Sequence, residues 1–249
     1  MIARIHILIT SFGLLCTGAL SAQSTREEVK QLLLRVQSAY QHASYLDFRV
    51  TYTYANLDRP GQSIDSLSGE VQLDKVRARV VMPGSETLVN ASYSIQVLEK
   101  DKIVYISKAP VGIPVNPTGS VDSVLKYLDQ YQVNISEAGG EKVLMIGFPE
   151  GGRFSRVRMQ VDTLTGYLKE MTYFLKTEGL ISRDQLKSAG HGGSYQAEGL
   201  VQISFSGYKS GGFSDTAFAT DQYFTKTNGQ YEPADRFKGY HLFWATSPN

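Results

Sequence analysis

Cysteine is almost absent. Cys16 is the only one in 249 residues, and it falls inside a stretch that reads as a cleaved leader. The mature chain then forms no disulfide and no thiolate metal site, and its core must stabilise it unaided. An excess of charge of one sign is absent too. The chain carries 25 basic and 24 acidic residues, and loss of the leader removes only Arg4, leaving 24 of each. A neutral chain without a basic block lacks the electrostatic footprint of a nucleic-acid binder. Catalytic signatures are missing as well. His6, His42, His191 and His241 are scattered with no close pair, so a zinc site has no support. No Gly-x-x-x-x-Gly-Lys cradle exists for a phosphate. His191-Gly192-Gly193 has no Gly-x-Ser-x-Gly partner motif, which argues against a hydrolase oxyanion loop. Asp162-Thr163-Leu164-Thr165-Gly166 lacks the further carboxylates of a calcium loop and reads as a hairpin turn. Glu27-Glu28 and Asp47 with Asp58 do not form a glycosidase-like dyad pattern. These absences point away from an enzyme, and no cofactor is expected. No linker composition, fixed-period repeat or low-complexity tract divides the chain, so one domain is the simplest reading.

The N-terminus has the order of a secretory signal. Arg4 is the basic residue, Ile5 to Leu15 is mostly apolar, and Ala19-Leu20-Ser21-Ala22 offers small residues for cleavage. Residues 1–22 are read as a signal peptide and 23–249 as the mature domain. Leu15 precedes Cys16 where a lipidated cysteine needs a small residue, so Cys16 is read as part of the signal.

What the chain does have is strand alternation. In Leu46 to Tyr54 the even positions Leu46, Phe48, Val50, Tyr52 and Tyr54 are apolar or aromatic and the odd ones polar. Period two puts the two sets on opposite faces. Leu67, Gly69, Val71 and Leu73 repeat the pattern, as do Val76, Ala78, Val80 and Met82. A hairpin joins Tyr93–Val97 to Ile103–Ile106 across a charged turn at 99–102. Further strands are read at 132–135, 143–146, 157–161, 167–175 and 201–205. Twenty-three glycines and fifteen tyrosines suit so many turns and strands. Short connections make an antiparallel meander, and one apolar side needs a cover.

Two helices can supply it. Thr25 and Glu28 form a capping-box pattern, and Val29, Leu32, Leu33, Val36 and Tyr40 make one apolar stripe over 25–43. Val121, Val124, Leu125 and Leu128 do the same over 120–130. Between hairpin and second helix, Lys108 to Pro117 holds three prolines and reads as an extended loop, either a linker whose apolar residues pack down or, as the alternative, a flap over a hydrophobic mouth.

The motifs Tyr45-Leu46-Asp47-Phe48-Arg49-Val50, Leu67-Ser68-Gly69-Glu70-Val71-Gln72-Leu73 and Ser94 to Tyr105 follow a signal and a helix. With Val157 to Asp162 and Gly166 to Lys169, this order resembles the periplasmic lipoprotein-carrier (LolA-like) family. The resemblance covers most of the mature chain, on loose hydrophobic motifs. It implies a mainly β, α+β fold: a single curved antiparallel sheet forming an unclosed β-barrel, with helices plugging its concave face. It implies a monomer in the periplasm that binds lipid or lipoprotein acyl chains and takes part in outer-membrane lipoprotein sorting. The partners so implied are an inner-membrane releasing complex and an outer-membrane acceptor. The alternative is a non-enzymatic envelope-sensing or regulatory module of the same fold. The family's Arg-Pro pair is absent, its place taken by Lys75-Val76 with Arg77 beyond. The acyl cavity is expected to be lined by Phe48, Val50, Tyr52, Val71, Leu73, Ile95 and Val97, roofed by Leu32, Val36, Val124 and Leu128.

Overall fold

Alternating strands joined by short turns pair with their neighbours in sequence, and the chain does this in two long runs of strands. The computed structural model describes residues 15–74, 76–109, 121–177, 195–212 and 214–245. Lys75, the prolines of the 110–117 stretch, the His191 loop and residues 1–14, Arg4 included, lie outside the described residues. Helix α1 (Leu15–His42) leads into strands β1 (Leu46–Asn56), β2 (Ser63–Asp74), β3 (Arg77–Met82), β4 (Ser85–Val89), β5 (Tyr93–Leu98) and β6 (Ile103–Lys108). Helix α2 (Val121–Tyr127) follows, then β7 (Gln132–Ala138), β8 (Glu141–Gly147), β9 (Phe154–Asp162), β10 (Leu168–Lys176) and β11 (Glu198–Ser210). The chain ends with β12 (Phe224–Thr227), β13 (Gln230–Pro233) and β14 (His241–Trp244).

Among the described residues twelve strands form one sheet in the order β14-β6-β5-β4-β3-β2-β1-β11-β10-β9-β8-β7, and β12 and β13 make a separate hairpin. The large sheet is curved and does not close into a barrel. Its two runs of consecutive strands meet where β11 returns to β1. One pair departs from the antiparallel expectation: β14 lies parallel to β6, because it arrives from the far end of the chain rather than by a hairpin.

Helix α1 begins at Leu15, ahead of the Thr25 start expected from the capping pattern. The residues before Thr25 include no proline, and Leu and Ala among them favour the helix. Its stripe Val29, Leu32, Leu33, Val36 and Tyr40 is buried, while Lys30, Gln31 and Arg35 are exposed. The helix packs against β7 and α2, and Gln37 Nε2 donates to Asp122 Oδ1 at 3.0 Å. Helix α2 ends at Tyr127 and tightens into a 3-10 turn over Leu128–Gln130.

Strand register decides which face each residue occupies, since antiparallel partners share a face. Phe48, Val71 and Val80 are successive partners and pack in the cluster that holds the helix stripe. The same row continues through Thr87, Gln96, Tyr105 and Phe243. The adjacent row starts polar with Asp47, Gln72 and Arg79, then becomes Leu88, Ile95, Ile106 and Trp244. The apolar side of the sheet therefore changes face between β3 and β4. Over β7 to β11 and β1 to β3 the apolar face meets the helices. Over β4 to β6 it looks the other way.

The C-terminal segment covers that second apolar patch. It runs through 3-10 turns at Asp215–Phe218 and Thr220–Gln222, the β12–β13 hairpin and a third turn at Asp235–Phe237. Phe218, Tyr223, Phe224 and Phe237 are buried against Leu88, Ile95, Val97, Val104 and Ile106. Beneath them, Glu86 accepts from Arg79 Nε at 2.8 Å, from both terminal nitrogens of Arg236 at 3.2 Å, and from the Tyr223 hydroxyl.

Candidate functional site

The helix-covered face is sealed at one end and open at the other, and β1 shows both. Its first half, Leu46, Phe48 and Val50, is buried. At that end Tyr40, Phe48, Tyr167, Phe205 and Tyr208 form an aromatic plug, with Tyr167 and Tyr208 stacked at 4.6 Å. A closed hydrogen-bond ring holds it. The Leu168 N–H donates to Tyr40 Oη at 3.3 Å, and the Tyr40 and Tyr208 hydroxyls bond to each other. Tyr208 Oη then donates to the Leu168 carbonyl at 2.8 Å. Burial pushes both phenols well above their ordinary value, so both stay neutral.

Beyond Val50 the cover ends. Exposure rises from 4% at Val50 to 40% at Tyr52, and Leu67, the cross-strand partner of Tyr52, is 41% exposed. Tyr54 pairs with Asp65 on one side and Val201 on the other, and Tyr52 pairs with Ile203. All of these therefore share the helix face. Next to them Met171 and Tyr173 pair with Ile203 and Val201 on that face. The result is a mainly apolar cleft of about 220 Å³ lined by Tyr52, Thr53, Tyr54, Asp65, Ser66, Leu67, Thr177, Tyr195 and Val201. Tyr54 is held in it from two sides. Its hydroxyl bonds to Thr177 Oγ1 at 2.7 Å, and its ring lies 5.3 Å from that of Tyr195. Burial raises the Tyr52 phenol, and it raises Tyr54 against the opposing hydrogen bond from Thr177. The cleft floor runs without a break through Ile203, Tyr173 and Met171 into the main core. A second hollow, of about 600 Å³, lies along α1 and is lined mostly by charged and polar groups, among them Glu27, Glu28, Arg35, Glu137 and Lys142. Its charged rim sets it apart from the mainly apolar cleft.

The expected cavity residues divide into three groups. Leu32, Val36, Phe48, Val50, Val71, Leu73 and Leu128 meet in one cluster, and Val124 packs against it. Tyr52 stands at the mouth of the cleft. Ile95 and Val97 do not join them. They belong to the other cluster, on the opposite face of the sheet. Alternation groups residues within a strand but leaves open which group faces which layer. Tyr54, Asp65, Leu67, Thr177, Tyr195 and Val201 complete the cleft. The alternation of β1 and β2 already puts Tyr54 and Leu67 on an apolar face, whereas nothing in the sequence around Tyr195 marks it.

Among the described residues no group of three or more His, Cys, Asp or Glu is placed to hold a metal ion. No helix among them is long and apolar enough to cross a membrane.

No family model matches the chain, and no curated protein matches it. Several solved structures do resemble it. An uncharacterized conserved protein from Thermus thermophilus is 9% identical, with a TM-score of 0.48, over 87% of this chain and 99% of that one. A LolA superfamily protein from Nitrosomonas europaea is 12% identical, with a TM-score of 0.33, over 77% and 97%. The Mycobacterium tuberculosis lipoprotein LppX is 12% identical, with a TM-score of 0.38, over 76% and 99%. The family that the sequence motifs resemble is thus among the structures this chain is similar to. The architecture itself rests on the chain's own sheet and helices.

Proposed function

We propose that this protein is a non-enzymatic binder of amphiphiles that holds part of an acyl chain on the uncovered end of its concave face. One observation carries this reading: Tyr52 and Leu67, large apolar side chains paired on the helix face, stand 40% and 41% exposed at a cleft continuous with the main core. A monomer seldom leaves such a row open to water unless something covers it. A mostly apolar concavity with few polar groups at its rim is the usual form of a site for an apolar ligand. The side chains of Leu32, Val36, Phe48, Val50, Val71, Leu73, Val124 and Leu128 form the wall behind this cleft, and a bound chain extends toward them. In keeping with the signal-like N-terminus, the protein acts in the periplasm, handing lipid or lipoprotein acyl chains between membrane partners.

Organic extraction of the purified protein followed by mass spectrometry tests this, together with titration of a fluorescent fatty-acyl probe. Co-purified lipid, or saturable probe binding that weakens in Leu67→Ala, is the expected result. No extracted lipid and no probe binding would sink the amphiphile reading and put the envelope-sensing module in its place. Release by osmotic shock tests the location; recovery only in the membrane pellet overturns it.

A further inference from the structure

The cleft is too small to engulf a whole amphiphile, and its walls say which end it takes. At about 220 Å³ it falls below the roughly 300–1,000 Å³ of sites that enclose a drug-sized ligand. Tyr52, Tyr54 and Tyr195 contribute three aromatic rings, the last two 5.3 Å apart and inclined at 56°. The electron-rich faces of such rings attract a cation. Asp65 adds a carboxylate on the same face, as the cross-strand partner of Tyr54. That carboxylate accepts from the backbone N–H of Ser66 at 2.8 Å, and no ion pair is formed with it among the described residues. No lysine or arginine is among the described residues that line the cleft. Among the described lining residues an anionic headgroup finds no counter-charge, and it meets Asp65 as a like charge. A trimethylammonium group fits both features, because its methyl surface packs on the rings and its charge faces the carboxylate.

Resting on the amphiphile reading above, we infer that the Tyr52–Tyr54–Tyr195 cleft with Asp65 selects amphiphiles bearing a quaternary ammonium headgroup. The headgroup sits among the three rings. The first carbons of the chain lie over Leu67 and Val201, pointing along the face toward Ile203.

Calorimetric titration of the purified protein with three ten-carbon amphiphiles, each below its micellar concentration, tests this. The three are decyltrimethylammonium, decanoate and decyl maltoside. The ammonium compound is expected to bind about 5- to 30-fold more tightly than decanoate, the ratio that one to two kilocalories of cation–π and charge attraction produces. Asp65→Asn and Tyr52→Leu should each remove most of that preference, while Tyr52→Phe, which keeps the ring, should retain it. Tyr52 is 40% exposed and Asp65 is exposed, and unchanged circular dichroism of the variants verifies that they fold. Equal affinity for all three compounds, or a preference untouched by both variants, overturns the headgroup inference and leaves the amphiphile reading standing. Binding of none of the three overturns both.

Discussion

The buried hydroxyl of Tyr223 donates to the carboxylate of Glu86, which fastens the C-terminal segment to the sheet face opposite the helices. Arg79, from the neighbouring strand, and Arg236, from the C-terminal segment, bond to the same carboxylate. Both segments thus depend on one anion, whose side chain is 10% exposed.

Burial alone would raise the Glu86 carboxyl, but hydrogen bonds from Tyr223, Arg79 and Arg236 outweigh it and hold the group below its ordinary value of 4.5. A depressed acid stabilises the fold above its unfolded value and stops doing so as pH falls through the folded one. The C-terminal segment should therefore hold firmly above about pH 4.5 and loosen progressively below it. Glu86→Ala, which leaves two arginines without their shared partner, should cost about 3 kcal/mol at neutral pH. Urea denaturation at pH 7 and at pH 4 is the measurement. The gap between wild type and variant should narrow at the lower pH, and a gap independent of pH contradicts this assignment.

The two faces make separable predictions. Ile95→Ala removes methylenes from the patch under the C-terminal segment and should destabilise by about 3 kcal/mol without altering probe affinity in the protein that remains folded. Leu67→Ala, at an exposed position, should weaken the probe and move the melting temperature little. Val50→Trp separates packed wall from open cleft. Val50 is 4% exposed, between Gly69 and Phe205 on its neighbouring strands, so overpacking should cost about 1–3 kcal/mol. A Val50→Trp protein of wild-type stability would show that the open volume reaches past Tyr52 to the middle of β1.

The alternation that makes the sheet legible also explains where the sequence reading of it fails. Apart from Ala55 with Ser63, past the register shift after Tyr54, every pairing from β1 to β6 joins an even residue to an odd one, as in Phe48 with Val71, Val80 with Thr87 and Ile95 with Ile106. The set on the helix face thus changes parity at each strand. Leaving out β4 reverses the parity of β5 and brings Ile95 and Val97 under the helices. Ser85-Glu86-Thr87-Leu88-Val89 is only half apolar, with a charge in its middle, and on its own does not read as a strand. It forms because Pro83 and Gly84 make a two-residue turn, with Gly84 at a φ of +78°. Glu86 is buried there because distant Tyr223 and Arg236 answer it. The helix stripes needed no such distant information, because Val29, Leu32, Leu33 and Val36 are periodic within the helix and bury one continuous side. β14 is four residues long and parallel to its partner, so neither hairpin spacing nor length announces it.

The tyrosine plug predicts a stability change at a distance from the cleft. Tyr208→Phe deletes the donor to the Leu168 carbonyl and leaves the Tyr40 hydroxyl without that neighbour, at a cost of about 1–2 kcal/mol. Burial foremost, and the nearby Tyr40 hydroxyl, push the Tyr208 phenol far above its ordinary value of 10.0. A raised group stabilises fully below its unfolded value and loses that contribution as pH rises toward the folded one. Wild-type stability should therefore hold to about pH 10 and then fall. Part of that alkaline sensitivity should vanish in Tyr208→Phe, as denaturation at pH 8 and pH 11 can show.

Gly199 supplies the sharpest test of the cleft, because its missing side chain is what lets Tyr54 lie where it does. A Cβ built there would sit 2.7 Å from Tyr54 Cζ, closer than real carbons approach, and a tight 3.0 Å from Cε2. The Gly199 backbone is not in the left-handed region, so alanine is tolerated by the main chain and the strain falls on the ring. In Gly199→Ala, Tyr54 must swing away, breaking its bond to Thr177 Oγ1 and its contact with Tyr195. The stability cost should be modest, about 1 kcal/mol for the lost hydrogen bond, since Tyr54 is only half-buried. The binding cost should be larger, because one wall of the cleft is displaced. Tyr54→Phe is the control: it also loses the Thr177 bond but leaves the ring in place, so it should share the stability loss and keep the affinity. Matched thermal melts and probe titrations of the two variants separate these effects. If Gly199→Ala binds as well as Tyr54→Phe, the position of the Tyr54 ring serves packing alone, and the amphiphile enters somewhere other than this cleft.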